Sequence, residues 1–436
     1  MRSSLVLACV GALMPVGCEK KAPPSDANSN AEAVQPPQPT REPDRQAALL
    51  LAQAQFVEQK TADGKTRPIP GPAKLIFVYP DGGRWTPEVL EDHDGNVFHK
   101  AMAFDPPGGP PGILTISANK APRPAMLKVW HRTANGWKGT LLWEAHFGGN
   151  FNRFRDVEVG DVTGDGRPEI VVATHDQGVV AVLQETGGTW NITEIDRAPN
   201  IFVHEIEIGD VDGDGRNEIF ATPSARNKVD GTPQPGWVVM YRHDGEKFSR
   251  QVVEEFDARH VKELLVADVH HIGRADLYAV LEVQLGQRSP PNSAEENVEI
   301  KQYHFTGAEA SGALIATLPD KQCRFLHVGD VDADGKAELV ASAFRSGIWI
   351  IRPEGETWAA ERIDDDSSGY EHATALADLD GDGKLEIYAA ADDQQQLRRY
   401  CWNGATFERT DLFKLTKGDI TFGLMPCSNP ACLGNR

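Results

Sequence analysis

Hydrophobic and polar residues alternate along much of the chain, in short runs that end at glycine-rich turns. The segment "HEIEIGDVDGDGRNEIFAT" (204–222) contains a loop with three aspartates. An alternating run of hydrophobic and polar residues precedes this loop, and a run with β-branched and aromatic residues follows it. A hydrophobic period of two predicts half-buried β-strands, and β-branched and aromatic residues favour strand formation. The segment therefore predicts two strands joined by an oxygen-rich turn.

The same pattern recurs along the chain. Copies occupy 99–118, 155–174, 204–222, 262–280, 324–343 and 372–391. The copy at 262–280 has His270 and Ile272 in its loop, and the copy at 99–118 has a proline-glycine turn. Each copy precedes a second predicted strand pair, such as 127–144. Repeated units of about four strands predict the blades of a β-propeller.

The two ends of the repeat region complete this pattern. Residues 73–92 resemble an outer strand pair without an inner pair before it, and 418–434 resemble an inner strand without an outer pair after it. Closing the ring would remove exposed sheet edges. We therefore predict an all-β fold, a seven-bladed β-propeller over 73–436 closed by the N- and C-terminal strands. Six blades with frayed ends is the alternative.

The N-terminal region predicts export. Arg2 and an apolar stretch ending at Cys18 are typical of a signal peptide over 1–18, which is too short to span a bilayer. Residues 19–72 are polar and proline-rich, which predicts a disordered tether with a short helix near 44–60. This order resembles a bacterial lipoprotein. The resemblance implies a lipid on Cys18 and anchoring to the outer membrane of the cell envelope; ordinary signal cleavage is the alternative.

The composition of the chain limits the classes of partner that it is expected to bind. The chain has 44 basic and 64 acidic residues, a formal charge of −20, and no basic run, which disfavours nucleic acid. We expect a monomer that contacts membrane only through its anchor. Cys427 and Cys432 are the first candidates for a disulfide, whereas the pairing of Cys323 and Cys401 is left open.

The repeated loops carry the acidic residues at a fixed spacing. Carboxylates at the first, third, fifth and ninth positions suit a hard cation such as Ca²⁺, and without a cation they would repel one another. An EF-hand is excluded for the loop at 210, because Ala221 stands where that motif needs an acid and strands flank the loop.

These loops resemble the FG-GAP or VCBS repeats of integrin α-subunit propellers and of many bacterial exported proteins, over roughly 73–434. The resemblance implies structural calcium, held by those four side chains and by the carbonyl of the seventh residue. The implied sites are Asp210, Asp212, Asp214, Arg216 and Glu218; Asp330, Asp332, Asp334, Lys336 and Glu338; Asp378, Asp380, Asp382, Lys384 and Glu386; and Asp161, Thr163, Asp165, Arg167 and Glu169. Thr163 replaces an aspartate, so we expect weaker binding there. The loops at 105 and 268 depart too far from the motif to bind calcium.

A basic or imidazole side chain lies at the start of the inner strand, the first predicted strand, of each repeat. These residues are His99, Arg155, His204, Lys262, Arg324 and His372, and the loops after the second strands add His175, Arg226 and Arg345. We expect them on the face away from the calcium loops, where they would suit an anionic ligand. Three histidines could instead hold a transition metal. Alternatively, the bases pack between blades, and Asp156, Glu158, Glu205 and Glu207 line the channel and pair with them.

The predicted function is therefore a calcium-binding propeller that binds a protein or a glycan. The alternative is an enzyme similar to polysaccharide lyases, with His204 or His372 as the base and Arg155 and Arg324 neutralising the substrate carboxylate. The sequence contains no nucleophile elbow, phosphate-binding glycine loop or two-histidine zinc motif, so the binding function is favoured.

Overall fold

The alternating runs form antiparallel strands in a computed structural model. It describes residues 48–60, 64–81, 83–175, 177–226, 232, 234–283 and 297–427. Contacts divide the chain into two units, 1–42 and 43–436, and every described residue lies in the second. The predicted signal peptide, Cys18 and the tether up to residue 47 lie outside the described residues. No helix in the described part is long and apolar enough to cross a membrane.

The strands follow one another in a regular order. The first fifteen are β1 (Ala48–Lys60), β2 (Thr66–Asp81), β3 (Arg84–Asp92), β4 (Val97–Phe104), β5 (Gly112–Lys120), β6 (Ala125–Thr133), β7 (Gly136–Ala145), β8 (Phe151–Gly160), β9 (Glu169–Thr174), β10 (Val179–Thr186), β11 (Thr189–Arg197), β12 (Ile201–Gly209), β13 (Glu218–Ala225), β14 (Gly236–His243) and β15 (Phe248–Phe256). The others are β16 (Arg259–Ala267), β17 (Asp276–Val283), β18 (Val298–Thr306), β19 (Glu309–Leu318), β20 (Cys323–Gly329), β21 (Glu338–Ala343), β22 (Gly347–Glu354), β23 (Thr357–Asp364), β24 (Thr374–Ala377), β25 (Glu386–Ala391), β26 (Gln396–Trp402), β27 (Phe407–Lys414) and β28 (Ile420–Cys427).

Consecutive strands pair in sets of four. Strands β12–β15, β16–β19, β20–β23 and β24–β27 are separate four-stranded sheets, and β4–β7 and β8–β11 repeat the pattern within a larger sheet. At the chain ends, β28 pairs with β1, β1 with β2, and β2 with β3. The all-β fold of repeated four-strand units is thus as predicted. The number of blades and the closure of the ring stay predictions.

The first strand corrects the sequence analysis. The sequence predicts a helix near 44–60 and a propeller that starts at 73, but Ala48–Lys60 is a strand with β28 on one side and β2 on the other. Leu49, Leu50 and Leu51 are all fully buried, so both faces of this strand are covered. A strand buried on both faces loses the period of two and cannot be told from a helix by its pattern.

Apolar side chains from neighbouring four-strand units form the core. Val157, Ile170 and Leu183 of the unit β8–β11 cluster with Leu114 and Leu127 of the unit β4–β7. Of the cysteines, Cys323 and Cys401 are free thiols. Cys427 is disulfide-bonded, and its predicted partner, Cys432, lies outside the described residues.

The first strand of each four-strand unit is the predicted inner strand. A β-bulge interrupts five of these inner strands (β4, β8, β12, β16 and β20) at the basic residues. The pairing shifts at Phe98/Lys100, Phe154/Asp156, Val203/Ile206, Val261/Glu263 and Cys323/Leu326. A bulge places two residues against one on the partner strand, which changes the phase of the alternation. In β12, His204 and Glu205 both oppose Thr222.

The position of β1 inside the sheet has a measurable consequence. Leu50→Ala should lower the free energy of unfolding by about 2–5 kcal/mol, because it removes fully buried methyl groups from the core. Val57→Ala, at the exposed end of the same strand, should stay within about 0.5 kcal/mol. Urea denaturation measures both, and equally small effects would contradict the placement of β1 in the core.

Candidate functional site

Residues from several inner strands meet at one central cavity of about 620 Å³. Six of the nine predicted ligand residues line it: His99, Arg155, His175, His204, Lys262 and Arg324. The extra, unpaired residue of the bulge is His99 in β4, Arg155 in β8 and Lys262 in β16. The bulges therefore bring the predicted bases to the cavity.

The other three predicted ligand residues do not line this cavity. His372 is fully buried, with Nδ1 donating to the Ala343 carbonyl (2.6 Å) and Nε2 accepting from the Ser367 hydroxyl (2.8 Å). The guanidinium of Arg226 lies 5.7 Å from the Phe202 ring, and that of Arg345 lies 4.9 Å from the Phe344 ring. Both ring nitrogens of His372 are therefore engaged inside the protein, away from this cavity.

Two glutamates that the sequence analysis missed neutralise the arginines. Glu371 accepts from Arg155 (3.3 Å) and from Arg324 (2.6 Å), and Glu282 accepts from Arg324 (2.9 Å). Glu371 directly precedes His372, and Glu282 occupies the place in its repeat that His175 occupies in another. Aligning the repeats could therefore have found Glu282.

Hydrogen bonds fix the tautomer of His204. A carbonyl only accepts, so Nδ1 donates to the Lys262 carbonyl (2.9 Å), and a guanidinium only donates, so Nε2 accepts from Arg155 (2.9 Å). Burial, reinforced by Arg155, holds the pKa of His204 well below its usual range. The ring is neutral, and its one lone pair is already used by Arg155.

Lys262 is the titratable cation of the cavity. Its side chain is only 1 % exposed, and burial lowers its pKa to about 7. Glu282 opposes that shift, whereas Arg324 and Arg155 add to it. Because the nearby His99, His175 and His204 have pKa values well below the usual range, Lys262 sets how the charge of this cavity changes near neutral pH.

Orphaned polar atoms and aromatic rings complete the lining. Asn119 Oδ1 and His175 Nδ1 are buried without a hydrogen-bond partner in the described part of the chain. Asn119 Nδ2 donates to the Asp94 and Pro124 carbonyls, which fixes the amide. The aromatic lining residues, which the sequence analysis did not find, include Phe151, Phe202 and the half-exposed Tyr370.

A second cavity of about 250 Å³ shares His99, Arg155 and Arg324 with the first. It is lined by acidic residues: Asp156, Glu158, Glu205, Glu207 and Glu263. Burial raises the pKa of Glu205, Glu207 and Glu263 well above the usual range. The predicted acidic face thus lines a cavity, but its partner differs from the prediction: Lys100 donates to Asp156 (2.9 Å) and to Glu158.

The repeated loops form four acidic clusters that could hold metal ions. Ligand atoms within 4.8 Å of one another come from Asp161, Asp165 and Glu169; Asp210, Asp212 and Glu218; Asp330, Asp332 and Glu338; and Asp378, Asp380, Asp382 and Glu386. Asp214 and Asp334 lie outside these groups, whereas the Thr163 hydroxyl donates to Glu169 (3.1 Å). No cluster containing three histidines, and none at the loops near 105 or 268, meets this distance within the described residues.

The loop at 210 shows how the chain builds such a cluster. The Asp210 carboxylate accepts from the amides of Gly213 (2.7 Å) and Gly215 (2.8 Å), and both glycines have positive φ, which they adopt without strain. Burial raises the pKa of Glu218 to about 7, and the opposing effects of the Val211 amide and Arg242 offset this shift only in part. The donor set of clustered carboxylate oxygens therefore fits a hard cation.

Comparisons with known proteins identify the repeat and the fold. The family model described as FG-GAP-like repeat matches residues 161–221 and 330–389. No curated protein matches the chain. The chain thus contains FG-GAP-like repeats, as the resemblance in the sequence predicted.

Solved structures support the propeller fold. The periplasmic gluconolactonase of Pseudomonas aeruginosa has a TM-score of 0.52 at 13% identity, over 88% of this chain and 100% of its own. A candidate 6-phosphogluconolactonase of Bacteroides uniformis has a TM-score of 0.51 at 14% identity, with the same coverage. A protein of Lactobacillus plantarum has a TM-score of 0.51 at 10% identity, over 88% and 99%. At these identities the likeness concerns the fold alone.

The depressed pKa of Lys262 predicts a pH-dependent gain in stability for Lys262→Met. Between its folded pKa, about 7, and an unfolded value near 10.4, only the unfolded state holds the proton. Lys262 therefore destabilises the protein fully below pH 7, and the penalty fades as pH rises towards 10.4. Lys262→Met should raise the free energy of unfolding by on the order of a few kcal/mol at pH 6–7 and progressively less above it.

Denaturant unfolding at a series of pH values measures this gain. Lys120→Met, at an exposed lysine of the same cavity, is the control and should stay within about 0.5 kcal/mol at every pH. A gain from Lys262→Met that does not change between pH 7 and pH 10 would contradict the depressed pKa.

Proposed function

We propose that this protein is an exported, calcium-stabilised propeller that binds an anionic ligand, a glycan or a protein, in its central cavity. The observation that carries the proposal is the convergence of Arg155, Lys262 and Arg324 with the orphaned Asn119 Oδ1 and His175 Nδ1. The volume of about 620 Å³ is in the range of ordinary small-ligand sites, roughly 300–1,000 Å³.

The chemistry of the lining favours an acidic glycan. Guanidinium and ammonium groups bind carboxylate, sulfate or phosphate oxygens through charge-assisted hydrogen bonds. The acceptor Asn119 Oδ1 needs a donor from the ligand, which a sugar hydroxyl supplies and a fully ionised inorganic anion does not. Phe151 and Tyr370 offer apolar faces for a sugar ring. A protein that presents a carboxylate is the second candidate partner.

Binding is favoured over catalysis by the state of the histidines. The lyase-like alternative needs a base, but His204 Nε2 accepts from Arg155, and His372 is enclosed between Ala343 and Ser367. The lactonase names of the similar structures describe those proteins, and the likeness to them is one of fold.

Export and anchoring are part of the proposal. The apolar N-terminus and the proline-rich segment after Cys18 support an outer-membrane lipoprotein with the propeller at the end of a tether. Fatty-acid labelling that persists in Cys18→Ser would rule this anchor out.

Calcium is proposed as the cation of the four loops. Its bound charge would neutralise the clustered carboxylates of each loop, which otherwise repel one another. Asp210 also holds the turn through two glycine amides, so the loop is shaped by the chain itself.

The ligand proposal is tested by isothermal titration calorimetry with oligogalacturonate. We expect binding that weakens as pH rises from 6 to 8, because Lys262 loses its proton through a pKa of about 7. Lys262→Met should lower the affinity at pH 6 by about tenfold or more and remove most of the pH dependence. Arg345→Gln, outside the cavity lining, should bind like the wild type.

Neutral oligosaccharides of equal length separate charge from sugar recognition and should bind at least about tenfold more weakly. A screen of acidic glycans without any binding would reject the glycan form of the proposal and leave a protein partner. An absorbance signal from unsaturated products would indicate that the site catalyses an elimination reaction.

The calcium proposal is tested by thermal melting with calcium and with chelator. At a hundredfold excess over its Kd, each site should add about 2.7 kcal/mol to the free energy of unfolding. Glu218→Gln keeps the side-chain volume and should reduce the calcium-dependent stabilisation by the contribution of one site. Asp276→Asn, in the degenerate loop near 268, should keep the full calcium shift. Equal melting temperatures in calcium and chelator would contradict a structural role.

A further inference from the structure

Each acidic cluster faces a particular position on the third strand of its sheet. Tyr241 pairs with Ile219, and Ile351 pairs with Leu339. The next residues along those third strands, Arg242 and Arg352, therefore lie beside the last glutamates of their loops.

Arginines on these third strands contact the clusters. The Arg242 guanidinium lies 2.7 Å from Asp212 and 3.2 Å from Glu218. Arg352 lies 3.2 Å from Asp332. In the loop at 378, Cys401 takes the equivalent place, and Arg399 reaches the cluster instead, 3.1 Å from Asp380. All three arginines are about three-quarters buried, so solvent screens these pairs only partly.

The loop at 161 lacks such an arginine. There the equivalent residue is Gln184, which donates to Glu169 (3.2 Å). This is also the loop in which Thr163 replaces an aspartate. The seventh loop position is basic in all four loops (Arg167, Arg216, Lys336 and Lys384), so its formal charge does not distinguish them, although Arg167 also pairs with Asp165 of its own cluster (2.7 Å).

Counting the charges of each whole loop motif, with Asp214 and Asp334 included although they lie outside the clusters, gives the same total for all four loops. Three loops have four carboxylates and one third-strand arginine, a sum of −3, and the loop at 161 has three carboxylates and a neutral glutamine, also −3. Calcium affinity follows the charge of the ligand set. We infer that the third-strand residue sets the calcium affinity of each loop, so that the four sites bind calcium with matched affinity.

This inference rests on the proposed calcium role and changes one sequence-based expectation. Thr163 alone predicts a weaker site at 161, but the missing arginine compensates for the missing carboxylate. The arginines also give the other three clusters a positive partner of their own when calcium is scarce, at the expense of calcium affinity.

Calorimetric titration of the full chain with calcium tests the inference. The wild type should show one class of four sites. Arg242→Gln, which copies Gln184, should make one site about tenfold tighter, and Gln184→Arg should make one site about tenfold weaker. Arg242→Lys keeps the charge and is the matched control, with an affinity close to the wild type. Melting in chelator checks that each variant is folded.

The outcomes separate the two proposals. Three tight sites and one weak site in the wild type would overturn the charge matching, as would equal effects of Arg242→Gln and Arg242→Lys, which would indicate packing rather than charge. In either case the calcium role would stand. A wild type that takes up no calcium would overturn the calcium role, and this inference with it.

Discussion

The β-bulge in the inner strands is the constraint on which the channel depends. In a regular strand, Arg155 and Asp156 would point to opposite faces, one into the core and one into the channel. The bulge leaves Arg155 without a partner in the ladder, and Arg155 and Asp156 then line adjoining cavities. Since the shift recurs in five inner strands, the bases line the larger cavity, and the acids line the smaller one together with His99, Arg155 and Arg324, which line both.

This segregation explains how so many ionisable groups are buried together. Glu371 and Glu282 neutralise the arginines of the larger cavity, and Lys100 offsets part of the acidic cavity. Lys262 stays close to neutrality because burial opposes its charge. The polar atoms left over, on Asn119 and His175, are the ones a ligand could satisfy. The proposed binding and the incomplete internal pairing are therefore two aspects of the same arrangement.

Sequence patterns predicted the structure correctly where several repeats carried the same pattern. Several gapless copies of one loop predicted the strand–loop–strand unit, and the acidic spacing predicted which carboxylates would cluster, apart from Asp214 and Asp334. The pattern failed at Ala48–Lys60, which occurs once and whose first half is buried on both faces, so no period of two survives there. The sequence also left open which face of each inner strand lines the channel, because a bulge leaves no mark in a single strand's hydrophobic pattern.

The sequence by itself determined the all-β repeat fold, the acidic loops and the place of a base at the start of each inner strand, because these depend on local spacing. Tertiary structure alone decided that His372 is enclosed while His204 reaches the cavity. It also paired Arg155 and Arg324 with Glu371, and placed Arg242 and Arg352 against the acidic loops. Such pairs join residues from different strands or sheets, and electrostatic interaction depends on distances in space that no spacing along the chain encodes.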